Sequence, residues 1–522
     1  MQRYDFFLEW QNKIAFFFYE KLIVVSPKMR NFALSKFICI MKHVRVALQI
    51  VVIICLSLVF LDFTGVLQPY LGWLAKIQFL PAVLRVAPVT VLILLLATFV
   101  FGRLYCSVVC PMGILQDFFN WIGVKFRPNR FHYRRENRWL RFAVLTVFVL
   151  LLATGFGSFA SLVEPYSAFG RVANNLFQPL YRWINNMAAD YAAAHDSYAF
   201  YAVDNTLAPR IMFIVSSVTL VLFGIVSLLA GRWWCSNVCP VGSLLSLVSR
   251  WSLLRPVIDT SKCNGCQLCA RRCKASCINP KQHRIDMSNC VVCFDCINNC
   301  RQGAIKYRVR SFRKSEVTDQ SRRHFIAGAV ALGSMAAVDS VAKSVDGGLA
   351  VIEQKKVPAR SRRLVPAGAW SISHFAQHCT GCQLCVSNCP NQVLRPSTAV
   401  DHFMQPEMSY EQGYCRPECT RCSDVCPNGA IRPITREQKS STQIGHAVWI
   451  AANCVVVRDG VSCGNCARHC PSGAIMMVRQ DERLIPAVNA ERCIGCGACE
   501  NLCPSRPFSA IYVEGNSEHR TI

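Results

Sequence analysis

Thirty-one cysteines stand in 522 residues, too many for chance and odd in number. Complete intramolecular disulfide pairing is therefore impossible, and spacing must say what they do. Cys263, Cys266, Cys269 and Cys273, followed by Cys290, Cys293, Cys296 and Cys300, have the Cys-x2-Cys-x2-Cys-x3-Cys spacing of a bacterial two-cluster ferredoxin. Three closely spaced thiolates wrap a corner of one cubane, while the fourth lies on a helix turning away and reaches the other. The spacing predicts Cys263, Cys266, Cys269 and Cys300 on one 4Fe-4S cluster, and Cys290, Cys293, Cys296 and Cys273 on its neighbour. Lys274 stands where a proline usually follows Cys273, so Cys277 is a competing ligand; the x3 spacing favours Cys273.

Four further runs follow: Cys379, Cys382, Cys385, Cys389; Cys415, Cys419, Cys422, Cys426; Cys454, Cys463, Cys466, Cys470; and Cys493, Cys496, Cys499, Cys503. Sixteen ligands imply four more cubanes, six in all. Structural zinc usually takes two short Cys/His knuckles and has no need of a triplet plus a distal cysteine. Cys106 with Cys110 and Cys235 with Cys239 sit four apart, just before Pro111 and Pro240, a spacing that puts each pair on one helix face. Four thiols meeting there suit a seventh metal or redox site, a cycling disulfide, or plain packing as small apolar groups. Cys39 and Cys55 stand alone and are assigned no function.

Apolar stretches carry the twin pairs. The chain is 52% hydrophobic and 17% charged, with positive mean hydropathy. Four runs, Val44 to Val66, Ala87 to Val109, Trp139 to Val163 and Arg210 to Ala230, read as membrane-spanning helices. Residues 1–45 hold eight Lys or Arg and 110–141 hold seven, whereas the other two connections are poor in them, so both ends of this unit are expected in the cytoplasm. Gly102-Arg103-Leu104-Tyr105-Cys106 to Pro111 and Gly231-Arg232-Trp233-Trp234-Cys235 to Pro240 repeat one design. Ser321-Arg322-Arg323 and the small-residue run Phe325 to Val338 fit a twin-arginine export signal, which moves domains already folded around their clusters.

The expected organisation is a cytoplasmic segment (1–43), a four-helix membrane unit (44–255), a cytoplasmic two-cluster ferredoxin domain (256–310), a signal-anchor or fifth span (311–345), a linker (346–370) and a periplasmic four-cluster domain (371–522). Its class is an α-helical membrane unit with α+β ferredoxin-like domains. The formal charge of +26 counts every cysteine as neutral; six thiolate-bound cubanes remove roughly 12 units, and no nucleic-acid partner is implied. No Cys-x-x-Cys-His and no histidine within the four runs leaves no haem site. No dinucleotide fingerprint follows a strand, so electrons should come from a carrier, and within a bilayer that carrier is quinol. Its protons need acceptors, for which Asp62 and Glu164, at the outer ends of the first and third runs, are the candidates.

The four spans, the twin Cys-x3-Cys-Pro motifs and the 263–300 cysteines together resemble the NapH family of membrane polyferredoxins over about residues 40–305. From Arg322 onward the chain is similar to the NapG family, which in related systems partners NapH in carrying electrons from quinol toward periplasmic nitrate reductase. The resemblance implies ligand exchange between the first and fourth C-terminal motifs, Cys379, Cys382 and Cys385 with Cys503, and between the second and third; sequential pairing is the alternative. The fusion, Cys277 and the lack of a reductase depart from the pattern and leave the terminal acceptor open. The resulting expectation is a bacterial inner-membrane quinol dehydrogenase component, not itself a terminal reductase, delivering electrons to a periplasmic cytochrome or reductase. A conduit from cytoplasmic ferredoxin docked near Arg271 and Arg272 to quinone or the periplasm is one alternative. A redox-sensing regulatory membrane protein is the other.

Overall fold

The computed structural model describes residues 27–309 and 355–522, except 129, 198–199, 204–208 and 481, together with a strand pair at 345–346 and 350–351. The export signal expected at 311–345 lies almost wholly outside the described residues. Among the described residues, eight helices of eight or more residues build the first half: α1 (Pro27–Leu61), α2 (Pro88–Phe101), α3 (Pro111–Phe126), α4 (Arg138–Ala153), α5 (Pro165–Val172), α6 (Gln178–Ala193), α7 (Arg210–Ala230) and α8 (Pro240–Ser249). Proline opens α2, α3, α5 and α8, at the position where a missing N–H costs nothing.

Two helical stretches, Met41–Leu61 within α1 and Arg210–Ala230, are long and apolar enough to cross a membrane. Their apolar side chains point outward, Val44, Leu48 and Val51 on one and Phe213, Ile214 and Val218 on the other. The second expected run, Ala87 to Val109, is not one helix. Its helix α2 has 14 residues, about 21 Å of rise, and stops because Gly102 takes φ 81°; Cys106 then sits on a separate turn, Tyr105–Val108. The third, Trp139 to Val163, breaks likewise at Gly155, φ 84°, and restarts as Gly157–Val163. Hydropathy alone sees no boundary there, because glycine is apolar yet permits the left-handed turn.

The two repeats lock to each other through reciprocal contacts. Arg103 Nη2 donates to the carbonyl of Cys235 at 2.8 Å, and Arg232 Nη1 donates to that of Cys106 at 2.6 Å. Both arginines are fully buried. The approach is close because Gly113 and Gly242 lack a side chain: a Cβ would stand 2.2 Å from the Cys106 carbonyl oxygen and 2.1 Å from that of Cys235.

The two-cluster domain closes with β1 (Leu254–Ile258) antiparallel to β2 (Ile305–Val309) and seats on one end of the helices. Arg103 reaches the Ser288 carbonyl at 3.0 Å, Arg141 the Asn289 amide oxygen at 2.6 Å, and Lys274 pairs with Asp117 at 2.9 Å. Asp117 also binds Arg232 at 2.7 Å and Arg45 at 3.4 Å. Burial pushes its carboxyl up, but Arg232, Lys274 and Arg45 together hold it well below the usual carboxylate range.

The C-terminal domain contains β3 (Thr442–Trp449) paired with β6 (Ile511–Thr521), and the hairpin of β4 (Ile475–Gln480) and β5 (Arg483–Val488). It seats on the opposite end, against the connections that sequence charge predicts to face away from the cytoplasm. Ser167 donates to Thr380 at 2.9 Å, Asn174 and Asn175 to Gln383 at 3.0 and 2.9 Å, and Arg421 to the Phe63 carbonyl at 3.3 Å.

Gly113→Ala and Gly242→Ala should each destabilise the helical unit by about 1–3 kcal/mol, since the new methyl must push a backbone carbonyl. Gly224→Ala, whose Cβ meets only the Phe119 ring at 3.4 Å, serves as the control in chemical unfolding. Equal stability of all three variants would contradict the packing described.

Candidate iron-sulfur centres and the thiol set between them

Four of the six motifs share one backbone device. In each, the residue before the second cysteine and the residue after it are both left-handed: Gly265 and Gln267, Val292 and Phe294, Gly381 and Gln383, Gly495 and Gly497. Two such residues in succession curl the chain around a void and aim backbone N–H groups and thiols inward. A short helix then carries the third cysteine, as in Leu268–Arg271, Asp295–Asn298, Leu384–Ser387 and Ala498–Asn501. Left-handed Val292 and Phe294 are strained conformations, held because both side chains are buried.

The distal cysteines accept backbone hydrogen bonds. Ala304 N–H donates to Cys300, Ile431 to Cys426, Ala474 to Cys470 and Ala510 to Cys503, all at 3.3–3.4 Å. Such N–H donors stabilise negative sulfur.

In the first domain the placement agrees with the spacing. Cys269 has Cys300, Cys263 and Cys266 as electrostatic neighbours, and Cys296 has Cys293, Cys290 and Cys273. Cys277 lies 3.5 Å from Cys273, and five thiols, Cys273, Cys277, Cys290, Cys293 and Cys296, line the second void. The hydrogen bond from Cys277 lowers the Cys273 thiol below its ordinary range and raises that of Cys277. Cys273 is therefore the more available thiolate.

In the C-terminal domain the structure departs from the exchange implied by the resemblance. Cys426, not Cys503, stands beside Cys379, Cys382 and Cys385. Cys389 joins Cys415, Cys419 and Cys422 in lining a second void. Cys503 neighbours Cys454, Cys463 and Cys466, and Cys470 neighbours Cys493, Cys496 and Cys499. Motifs thus exchange within successive pairs. Within each pair the short helices pack together, Leu384–Ser387 against Arg421–Val425 and Asn465–Arg468 against Ala498–Asn501, which brings each distal thiol to the partner motif.

These residues fit iron-sulfur cubanes. All donors are soft sulfur, two of the sets line voids, and N–H groups face the distal sulfurs. Burial pushes the Cys379 and Cys496 thiols up to about 12, so a cation must hold them as thiolates. Among the described residues, no group of three or more Cys, His, Asp or Glu closes on a single ion; a cubane, binding at four corners, holds its ligands farther apart than zinc does.

The twin motifs converge. Cys106, Cys110, Cys235 and Cys239 are each 3–4% exposed, and Cys239 has the other three as electrostatic neighbours. Cys239 accepts from Gly242 N–H at 3.3 Å, and Cys235 donates to Gln116 at 2.8 Å. Arg103 Nη2 lies 3.8 Å from the Cys106 sulfur; among the described residues no carboxylate pairs with this arginine. Sequence reading missed that cation, although its place in the Gly-Arg repeat marked it.

The two expected proton acceptors are structural in geometry. Asp62 accepts from Thr64 Oγ1 and from the N–H groups of Gly65 and Leu67 at 2.7–2.8 Å, closing a turn. Glu164 caps α5 by accepting from Tyr166 and Ser167 N–H. Glu164 nevertheless stands within electrostatic reach of Cys110 on one side and Cys382 on the other.

Comparison with known proteins agrees with this donor chemistry. Residues 86–130 and 211–257, the two repeats, match a 4Fe-4S binding domain family, and 378–430 and 461–506 match a 4Fe-4S dicluster domain family. The methylamine utilization ferredoxin-type protein MauM of Methylobacillus flagellatus is 31% identical over 168 residues, 30% of this chain and 70% of MauM. Ferredoxin-type protein NapG of Escherichia coli is 30% identical over 180 residues, 30% of this chain and 75% of NapG. NapH of Haemophilus influenzae is 26% identical over 218 residues, 40% of this chain and 63% of NapH. For several such relatives the chain spans under two thirds of their length, from 35% to 63%. No solved structure matches.

The protein is thus an iron-sulfur electron-transfer protein of the 4Fe-4S class. It belongs to the ferredoxin-type protein family that MauM and NapG represent.

Ligand exchange is testable by iron content. Cys385→Ser and Cys426→Ser should each remove about four irons, and the double variant no more than either alone, because both touch one cubane. Cys385→Ser with Cys503→Ser should remove about eight. The reverse pattern would restore the exchange implied by the family resemblance.

Proposed function

We propose that the chain is a membrane-bound quinol dehydrogenase component that passes electrons through six 4Fe-4S clusters to a periplasmic cytochrome or reductase. A seventh redox centre is held by Cys106, Cys110, Cys235 and Cys239. When bound, such clusters supply one-electron carriage. The observation that carries the reading is the buried, carboxylate-free Arg103 beside these four thiols. An isolated cation in a dry interior is costly unless an anion faces it, and a thiolate-ligated cluster is such an anion.

The position of the thiols gives them their role. The two-cluster domain lies at one end of the helices, tied through Arg103 and Ser288, and the four-cluster domain lies at the other, next to Glu164. Electrons crossing between them need an intermediate stop, and the thiol set is linked to one domain through Arg103 and to the other through Glu164. The outward apolar faces of α1 and α7 support a bilayer setting; α2 and α4, with the turns that extend them, complete four crossings. The basic connections support a cytoplasmic two-cluster domain and a C-terminal domain across the membrane. Quinol gives two electrons and two protons, and the polar helix ends offer routes by which those protons reach water.

The test uses the full chain in lipid nanodiscs under anaerobic conditions. A reduced quinol analogue should develop the electron paramagnetic signals of both cluster domains. Cys110→Ser and Cys239→Ser should leave one domain reducible by quinol and slow the other at least tenfold. A wild-type protein unreduced by quinol, or variants that reduce both domains at the normal rate, would refute the proposal.

A further inference from the structure

A large cavity that serves no cluster lies where α1, α3 and the two-cluster domain meet, with a volume of about 790 Å³. Its walls are of two kinds. Ile50, Ile53, Phe118, Trp121 and Val124 make an apolar side, and Ile50, Phe118, Trp121 and Val124 continue onto the exposed apolar surface. The other side holds Lys42, Arg45, Arg130, Arg271, Arg272 and Lys274 against two carboxylates, Asp117 and Asp295.

Those carboxylates are already engaged. Asp117 pairs with Arg45, Arg232 and Lys274, and Asp295 with Lys42 and Lys274. A strong excess of positive charge remains. Three buried donor atoms on this wall have no hydrogen-bond partner: Asn120 Nδ2, in a side chain 3% exposed, Arg45 Nε, in one 5% exposed, and Arg130 Nε. Buried N–H groups are normally paired. Here the open groups are all donors, so the missing partner is an acceptor, and the charge says it is an anion.

Helix α3 adds the level in the bilayer. It carries Trp121 with Lys125 Nζ 4.0 Å over its ring, and its exposed face bears Phe118, Val124 and Phe126. A helix with exposed aromatic residues and a lysine over its tryptophan has the side chains that anchor at a membrane interface. The cavity is thus a cationic notch at headgroup depth with an apolar side open to the hydrocarbon.

The geometry points to a binding site for one anionic phospholipid. Its phosphate accepts from Arg45, Asn120 and Arg130, and an acyl chain lies along Ile50, Ile53 and Phe118. A neutral quinone fits the apolar wall but leaves the charge excess unanswered. The lipid would also clamp the two-cluster domain, through Arg271 and Lys274, to the helices that receive its electrons. This inference rests on the bilayer setting proposed above.

Native mass spectrometry of the detergent-solubilised full chain tests it, with phosphatidylglycerol and phosphatidylcholine offered in equal amounts. One phosphatidylglycerol should be retained per chain in preference to phosphatidylcholine. Arg130→Gln with Arg271→Gln, which spares every ion pair named, should weaken that retention about tenfold, with iron content as the check on folding. Arg468→Gln, on the far domain, should not. Should the double variant fail to load iron, loss of wild-type selectivity on raising salt carries the same test. Equal retention of the two lipids, an unaffected double variant, or displacement of phosphatidylglycerol by a neutral quinone would overturn the site. Failure to enter vesicles of either lipid would instead sink the bilayer reading itself.

Discussion

Two guanidinium groups, each fully buried and each reaching across to a cysteine carbonyl in the other repeat, are the constraint on which the helical half depends. A hydrogen bond from a charged donor contributes about 1.5–3 kcal/mol, and its loss would leave an uncompensated cation in the interior. Arg232 is answered by Asp117; Arg103 is answered only by carbonyls and sulfur. The same two arginines fix three things together: the approach of the hairpins, the meeting of four thiols, and the seat of the two-cluster domain. Asp117 extends the network by gathering Arg45, Lys274 and Arg232. Three segments distant in sequence thereby become one rigid end.

The cluster loops are organised by a different economy of backbone. Paired left-handed residues curl each Cys-x-x-Cys, and where glycine is absent the strain is borne by buried Val292, Phe294 or Gln383. Such conformations persist only where the surroundings over-determine them. Bound iron and the packing beneath the loops both do so. The electrostatics point the same way, since burial that raises bare thiols makes these sites dependent on the cation they hold.

Much of the site was legible in the chain because ligand spacing is local. The ferredoxin pair at 263–300 and the twin Gly-Arg to Cys-Pro repeats could be read without coordinates. Three features could not. Ligand exchange between Cys426 and the 379–385 loop depends on how two motifs pack, which spacing within one motif does not encode. The breaks at Gly102 and Gly155 are hidden because glycine counts as apolar in a hydropathy window while its φ is free. Asp62 and Glu164 looked like lone acids at span ends, whereas their short side chains close a turn and cap a helix. Arg103 is the reverse case: visible in the repeat, but significant only once its lack of a carboxylate is seen.

Cluster-type cysteine loops stand at both ends of the helical half, with four thiols between them, and buried charge and polar contacts join these parts. The central claim is that these thiolates hold iron and sulfide. Metal and acid-labile sulfide counts on anaerobically isolated full-length protein test it most directly. The account predicts iron and sulfide in equal amounts at about twenty-four or more of each per chain. Zinc in place of iron, or iron far below that number with little sulfide, would contradict it.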